Sequence, residues 1–337
     1  MANIALTYRC NLNCPYCFAN EFVNKQKADI SEENFDKAVQ FLVDSHADSI
    51  GLIGGEPLLH PNFGTFMEKL IDHPGVRAIR VYTNGLWIDK YVPLLVNPKV
   101  SLLVNCNSPT QIGEANYART VQNLDILHLQ YRMKLRCSLG INLYDTDMDY
   151  QYICELLKRY SLHTLRISIT VPDFSKQNCC DVLEYFKSKK QFLLRFFRDM
   201  DAIQVVPHYD CNKPPYCIWT EEEKQWLKNY IQKYPVSETN LIGDHSFCHP
   251  VVDILPNLQA VRCLGLSEYT KVKLSDFNTL EDLQQYYIGS VDYAGYNMAA
   301  FSDCKDCMKR KVQLCTAGCL GFKWPRIQKV QSYLEQL

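Results

Sequence analysis

Short apolar, β-branched runs alternate with longer amphipathic stretches over the first 210 residues of the chain. Such alternation is typical of repeated strand–helix units around a parallel sheet. The runs that predict strands are residues 3–7, 49–53, 78–82, 101–105, 134–142 and 164–171. Helices are predicted after Ser31, which can cap a segment with apolar residues at helical spacing, and over residues 115–130. Six right-handed units predict an α/β fold, a partial (β/α)6 TIM-like barrel whose strand ends share one functional face.

The alternation stops after Val206, where prolines and cysteines interrupt the pattern in the stretch HYDCNKPPYC. A helix is predicted over residues 221–233, and the cysteines that follow show little regular periodicity. Metal ligation replaces a hydrophobic core in many segments of this kind. The predicted domains are a barrel over 1–210, a linker with a bridging helix over 211–240, and a small cysteine-rich domain with a C-terminal helix over 241–337.

The composition is that of a globular protein, with 47% hydrophobic and 22% charged residues and a formal net charge of −1. A near-zero charge gives no overall field that attracts nucleic acid. The sequence has no apolar run of the ~18 residues that would span a bilayer and no secretory signal. We therefore predict a cytoplasmic protein with no nucleic-acid or membrane partner. In that compartment, the 16 cysteines are expected to bind metal or iron–sulfur clusters rather than one another.

Three of these cysteines, Cys10, Cys14 and Cys17, lie within eight residues directly after the first predicted strand. Three such thiolates can hold three irons of a cubane cluster and leave the fourth iron open to another ligand. Zinc is the alternative, but a structural zinc site needs a second cysteine or histidine pair nearby. The ligand count therefore favours an iron–sulfur cluster.

The spacing CxxxCxxC after the first strand of a partial barrel resembles the radical S-adenosylmethionine (SAM) superfamily, and the resemblance covers residues 1–210. It implies one [4Fe–4S] cluster whose open iron is chelated by the amino and carboxylate groups of SAM. It also implies that one electron cleaves SAM to methionine and a 5'-deoxyadenosyl radical, which removes a hydrogen from the substrate. By the same resemblance, Tyr16 presents its backbone to the adenine.

Motifs at later strand ends fit this resemblance. Gly54, Gly55, Glu56 and Pro57 match the family's GGEP motif, in which glycines let the backbone approach the cofactor and a carboxylate faces its ammonium group. Polar side chains suited to the ribose and carboxylate of SAM are Asn84, Asn105, Ser138, Asn142 and Arg166. The simpler alternatives are an ordinary strand-to-helix turn and buried polar side chains that bond to neighbouring backbone.

The C-terminal cysteines resemble the auxiliary-cluster appendages called SPASM and twitch domains. They are Cys248, Cys263, Cys304, Cys307, Cys315 and Cys319. In a twitch-like allocation the first four bind one cluster. In a SPASM-like allocation, which we favour, Cys248, Cys263 and Cys319 belong to one cluster and the other three to a second. Each cluster then needs a further ligand or leaves an open iron, because six thiolates cannot fully ligate two cubanes. A zinc ribbon is the alternative.

Two more cysteines, Cys211 and Cys217, flank a proline-containing segment at the predicted domain junction. A loop near the substrate is one interpretation, and packing or an inert thiol is the other. Tyr144 is a further candidate near the substrate. The sequence does not decide among these roles.

Together these features predict a radical SAM enzyme that modifies a ribosomally made peptide by crosslinking, epimerisation or oxidation. The alternatives are a radical dehydrogenase of a small-molecule alcohol and a zinc-stabilised binding module without catalytic activity. The expected partner is an external reductant such as flavodoxin or ferredoxin. Because the triad begins at residue 10, no fused leader-binding domain is expected, so a separate protein binds the leader or the substrate needs none.

Overall fold

The computed structural model describes residues 2–19, 22–26, 28–170, 182–234, 241–242, 248–267, 269–297, 304–312, 314–315 and 319–322. The chain divides into two compact units. The first consists of Met1–Gly140 and Pro250–Ile288, and the second of Ile141–His249 and Gly289–Leu337. The sequence-based division into 1–210, 211–240 and 241–337 was drawn on other grounds, and it stays a prediction.

Strands and helices follow one another along the chain. The strands are β1 Ala2–Ala5, β2 Ser49–Ile53, β3 Ala78–Thr83, β4 Val100–Asn105, β5 Cys137–Leu143, β6 Thr164–Ile169, β7 Val206–Cys211, β8 Asp253–Ile254, β9 Gln259–Val261 and β10 Val272–Lys273. The helices are α1 Glu32–Asp44, α2 Phe63–Asp72, α3 Val92–Leu95, α4 Pro109–Ile112, α5 Glu114–Asp125, α6 Gln151–Arg159, α7 Val182–Ala202, α8 Glu221–Gln232, α9 Leu280–Tyr287, α10 Tyr293–Asn297 and α11 Met308–Lys311. Among the described residues, none of the helices combines the length and apolar character needed to cross a membrane.

The first unit is built on a mainly parallel sheet. β1, β2, β3, β4 and the first half of β5 pair in parallel in that order. On the other side of β1, β8 pairs in parallel, and β9 and β10 continue as antiparallel strands. In the second unit, β6 pairs in parallel with β7. These pairings confirm the predicted α/β fold with a parallel sheet, while closure into a barrel stays a prediction.

Helix α1 shows why the helical pattern was readable in the sequence. The Ser31 side chain accepts a hydrogen bond from the Asn34 backbone N–H, which satisfies one of the unpaired donors at a helix start. Phe35 and the other apolar residues of the predicted stripe are buried. The Phe35 ring stacks on Phe66 of α2 with ring centroids 4.0 Å apart. Helices α1 and α2 therefore share one apolar contact.

Strand β7 corrects the sequence analysis, which ended the regular alternation after Val206. Val206, Pro207 and Tyr209 are buried, so the strand is held by apolar contacts despite the proline. Proline donates no backbone hydrogen bond and is tolerated on an edge strand, and in the part of the chain that the structure describes, β7 pairs only with β6. The proline and cysteine content of this segment concealed the strand.

His128 lies in the single turn Ile126–Gln130 that extends α5, and it is buried. Burial lowers the pKa of its imidazole to about 4. The unfolded chain takes up a proton near pH 6.5 and the folded chain only near pH 4, so stability falls as the pH drops through that window. We expect the free energy of unfolding of the wild-type protein to fall by about 1.4 kcal/mol between pH 7.5 and 5.5 because of His128. The His128→Leu variant should not show this decrease in unfolding free energy.

The measurement is anaerobic urea unfolding of wild type and variant at both pH values. The difference between the two chains isolates His128 from other acid-sensitive groups. An equal loss of unfolding free energy in both chains would contradict the assignment.

Candidate functional site

The three cysteines of the N-terminal triad lie in the loop that follows β1. Cys10, Cys14 and Cys17 are partly buried. The Cys17 backbone N–H donates to the Cys14 carbonyl at 3.1 Å, and the Leu12 N–H points at the Cys10 sulfur at 3.4 Å. Burial raises the pKa of all three thiols, that of Cys10 to about 12. Ligation of metal by this loop would therefore displace protons.

The Gly54–Gly55 backbone holds the start of this loop. The Gly55 N–H donates to the Thr7 carbonyl at 2.7 Å, and the Glu56 N–H donates to the Arg9 carbonyl at 2.8 Å. A Cβ on Gly54 would stand 2.4 Å from the Thr7 oxygen, and a Cβ on Gly55 would stand 2.3 Å from the Arg9 oxygen. Gly54 also has φ +153°, which disfavours other residues. The glycines thus admit a neighbouring backbone, and their approach to a cofactor stays a prediction.

The Glu56 carboxylate connects this motif to the end of β3. It accepts hydrogen bonds from the Thr83 hydroxyl and the Asn84 backbone N–H, both at 2.8 Å, and from the Leu58 N–H at 3.2 Å. Burial raises the pKa of Glu56 to about 7, and these donors act against the shift. Asn84 in turn donates from its side chain to Asn11 in the cysteine loop at 2.9 Å. A carboxylate role toward the SAM ammonium stays a prediction.

The end of β4 supports the other side of the loop. The Tyr16 hydroxyl donates to the side-chain oxygen of buried Asn107, and it lies 3.3 Å from the Gln111 side-chain oxygen. The Cys14 sulfur lies 3.8 Å from the same Asn107 oxygen. The Cys10 N–H donates to Asn24 at 2.9 Å. The cysteine loop is therefore contacted by polar residues at the ends of β3 and β4 and by the segment that follows the loop.

Sequence analysis named Asn84 and Tyr16 but missed Asn11 and Asn24 as supports of the loop. Asn24 adopts φ +59°, a conformation that asparagine tolerates better than most residues. Its amide also donates to the Leu12 carbonyl at 3.2 Å. The signal that could have identified these two residues was the presence of asparagines inside and just after the cysteine motif.

Of the other predicted residues in the first unit, Asn105 ends β4 and is partly buried, and Pro57 is buried after Glu56. Ser138 lies on β5, and its hydroxyl donates to the Leu102 carbonyl at 3.3 Å. This backbone contact is the simpler alternative weighed for such residues. Contacts of these residues with a cofactor stay predictions.

Arg166 lies on β6 in the second unit, with its side chain 12% exposed. Its guanidinium pairs with Asp210 of β7 at 2.5 Å, and Nη1 lies 3.4 Å from the Asn142 side-chain oxygen. An arginine buried in a strand is costly without an anion, and Asp210 supplies one. Sequence analysis missed Asp210 because it lies in the strand that was not predicted. A contact of Arg166 or Asn142 with SAM stays a prediction.

The C-terminal cysteines are distributed over both units. Cys263 belongs to the first unit, and Cys248, Cys304, Cys307, Cys315 and Cys319 belong to the second. Within the second unit, the Cys211 thiol is hydrogen-bonded to Cys319, which lowers the pKa of Cys211. Cys211 was considered as a substrate-loop or packing residue, and both roles stay predictions.

The cysteine loop offers three partly buried thiols, a donor set that suits an iron–sulfur cluster. Thiolates on one zinc ion, at about 2.3 Å from it, must crowd around a single point. Within the described ranges, no group of three or more His, Cys, Asp or Glu side chains is arranged in that way. Thiolates of a cubane each bind a different iron and lie farther apart.

Comparisons with known proteins agree with this chemistry. Residues 4–157 match the family model of the radical SAM superfamily. The chain is 35% identical over 97 residues to a GTP 3',8-cyclase of Thermodesulfovibrio yellowstonii, and 35% identical over 102 residues to molybdenum cofactor biosynthesis protein 1 of Bos taurus. These matches cover 28% and 30% of this chain but only 30% and 16% of those proteins. They therefore concern a shared part and not the whole proteins.

A solved structure resembles nearly the whole chain. SuiB of Streptococcus suis bound to S-adenosylmethionine has a TM-score of 0.59 at 14% identity, and the similarity covers 94% of this chain and 72% of SuiB. The structure of SuiB bound to its precursor peptide SuiA gives the same TM-score at 12% identity, with coverage of 94% and 71%. At this identity the similarity establishes the fold alone.

The close approach of Gly54 to Thr7 predicts the effect of one methyl group. Gly54→Ala places Cβ against the Thr7 oxygen at a disfavoured φ, and should displace the cysteine loop. We expect the iron retained at the N-terminal site after anaerobic reconstitution to fall by more than half. The matched control is Gly113→Ala, which has φ +83° but no atom within 4 Å of the new Cβ. Equal iron content in both variants would contradict the role given to Gly54.

Proposed function

Because residues 4–157 match the family model of the radical SAM superfamily, we propose that the whole chain is an enzyme that cleaves SAM reductively and removes a hydrogen atom from its substrate. The observation that carries the proposal is the support of the cysteine loop from several sides. The Gly54–Gly55 backbone, Asn84 and Asn107 all contact it. This loop offers three thiols and no fourth cysteine, which leaves one iron of a cubane for SAM.

The chain's own residues are assigned roles on that basis. Cys10, Cys14 and Cys17 would hold a [4Fe–4S] cluster, and the Leu12 backbone N–H would stabilise the Cys10 thiolate. When bound and reduced, the cluster supplies the electron that splits SAM into methionine and a 5'-deoxyadenosyl radical. The Tyr16 hydroxyl donates to Asn107, and the Tyr16 backbone is assigned to border the adenine. Gly54 and Gly55 hold the start of the loop, and Glu56 and Pro57 follow them in the motif.

Four further residues are proposed to contact the polar parts of SAM: Asn105, Ser138, Asn142 and Arg166. The support for Arg166 is its nearly buried guanidinium, whose Nη1 lies 3.4 Å from the Asn142 side-chain oxygen and 3.5 Å from the Ser168 hydroxyl. A cofactor carboxylate would be a stronger acceptor for this nitrogen than either of these neutral oxygens.

For the substrate, we favour a ribosomally made peptide. The support is the fold shared with SuiB over 94% of this chain, together with the C-terminal cysteines suited to auxiliary clusters of the SPASM or twitch kind. Dehydrogenation of a small-molecule alcohol is the second candidate. The GTP 3',8-cyclase of Thermodesulfovibrio yellowstonii matches only 28% of this chain, so it supports shared radical chemistry and not its substrate. An external flavodoxin or ferredoxin would supply electrons, and a separate protein would bind any leader.

The first test is formation of 5'-deoxyadenosine. Anaerobic protein with reductant and SAM should release it together with methionine, and Cys14→Ala should abolish release because one of three iron ligands is lost. The control is Cys137→Ala, which removes a buried thiol at the start of β5. Cleavage by Cys14→Ala at the wild-type rate would contradict the site. A protein that binds zinc and leaves SAM intact would favour the binding module.

The second test identifies the substrate class. Peptides and small-molecule alcohols deuterated at candidate carbons are incubated with protein, SAM and reductant, and 5'-deoxyadenosine is analysed by mass spectrometry. We expect deuterium to appear with a peptide, because the radical takes the hydrogen atom directly from the substrate. Deuterium that appears only with an alcohol would contradict the peptide proposal and favour the dehydrogenase.

A further inference from the structure

Cys217 lies in the turn Tyr216–Ile218 of the second unit, immediately before α8. Cys217 is exposed, so packing into the apolar core does not explain why a cysteine lies at this position. Burial of its sulfur raises the pKa of Cys217, and the Cys315 and Cys307 thiols raise it further. Three thiols from two distant parts of the sequence are therefore neighbours within one unit.

Tyr216 provides an independent measure of the same proximity. Two lysines lie over its ring, with Lys309 Nζ 4.3 Å and Lys224 Nζ 4.4 Å from the ring centroid. Lys309 is two residues after Cys307, at the start of α11. The contact thus fixes the turn that carries Cys217 against the segment that carries Cys307.

The remaining cysteines of that segment are held close by the backbone. The Cys307 N–H donates to the Cys304 carbonyl at 3.3 Å, so these two residues share a turn. The Leu314 N–H donates to the Lys309 carbonyl at 2.8 Å, which folds the chain back after α11 directly before Cys315. Cys304 is buried, and Cys307 and Cys315 are partly buried.

We propose that Cys217 is the fourth ligand of an auxiliary iron–sulfur cluster held by Cys304, Cys307 and Cys315. The proposal rests on the auxiliary clusters of the proposed function, and it deepens that function by completing one ligand set. Four thiolates bind all four irons of a cubane, so this cluster has no iron open to a substrate. Its role is then in electron transfer or structure and not in substrate binding.

The proposal resolves a deficit in the ligand count. Six C-terminal cysteines cannot ligate two cubanes completely, and the count leaves each three-cysteine set one ligand short. Cys217 fills this gap for the set 304, 307 and 315. Cys211, hydrogen-bonded to Cys319, shows that a second upstream thiol also reaches the C-terminal cysteines. The lysines at Tyr216 add positive charge beside a site that binding of four thiolates would make negative.

The first test needs no substitution. Anaerobically reconstituted protein is alkylated with iodoacetamide before and after its iron is removed by a chelator, and each cysteine is quantified by mass spectrometry. Despite its exposure, Cys217 should be protected at least tenfold in the iron-loaded protein and become reactive together with Cys307 and Cys315. Equal labelling of Cys217 with and without iron would overturn the proposal.

The second test counts iron in a chain whose N-terminal cluster is removed by Cys10→Ala, Cys14→Ala and Cys17→Ala. Adding Cys217→Ala should lower iron by up to about four atoms per chain, or alter the electron paramagnetic resonance spectrum of the reduced cluster. Adding Cys154→Ala, a buried thiol on α6, should change neither. Unchanged iron and spectrum in the Cys217 variant, or zinc in place of iron, would overturn the proposal.

This background cannot cleave SAM by the proposed route, so the result does not depend on catalysis. Iron retained by the triple variant and lost with Cys217 would support the inference even if the wild-type protein produced no 5'-deoxyadenosine.

Discussion

The close approach of the Gly54–Gly55 backbone to the chain leading into the cysteine loop is the constraint on which the candidate site depends. Two main-chain hydrogen bonds, to the Thr7 and Arg9 carbonyls, join the end of β2 to the start of the loop. Neither bond would form if a side chain occupied the space that the absent Cβ atoms leave. The cysteine spacing alone would not fix the three sulfurs, because a loop of eight residues has many conformations. The glycines restrict these conformations from outside the motif.

Glu56 extends this constraint to the next strand. A buried carboxylate is costly unless it is hydrogen-bonded, and here three donors from the ends of β2 and β3 surround it. One of these donors is the Asn84 backbone N–H, and the Asn84 side chain contacts the loop at Asn11. Motifs far apart in the sequence therefore form one connected network. An interaction at the end of one parallel strand restricts its neighbour because those ends lie along the same edge of the sheet.

Much of this arrangement could be predicted from sequence because it depends on local patterns. The Ser31 cap, the apolar stripe that starts with Phe35 and the parallel order of β1 to β5 follow from periodicity and turn chemistry. The approach of Cys217 to Cys307 and Cys315 could not be predicted, because about 90 residues separate them and nothing in a local pattern records tertiary proximity. Asp210 was missed for another reason, since proline and cysteine in β7 hid a strand.

The central claim is that the cysteine loop leaves one iron to be bound by SAM itself. The most direct measurement is pulsed electron–nuclear double resonance of the reduced protein, with SAM labelled by 15N in its amino group and 17O in its carboxylate. The account predicts hyperfine coupling of both labels to the cluster, with loss of the coupling in a chain that lacks Cys14. A cluster present at full iron content that shows no coupling to either label would contradict it.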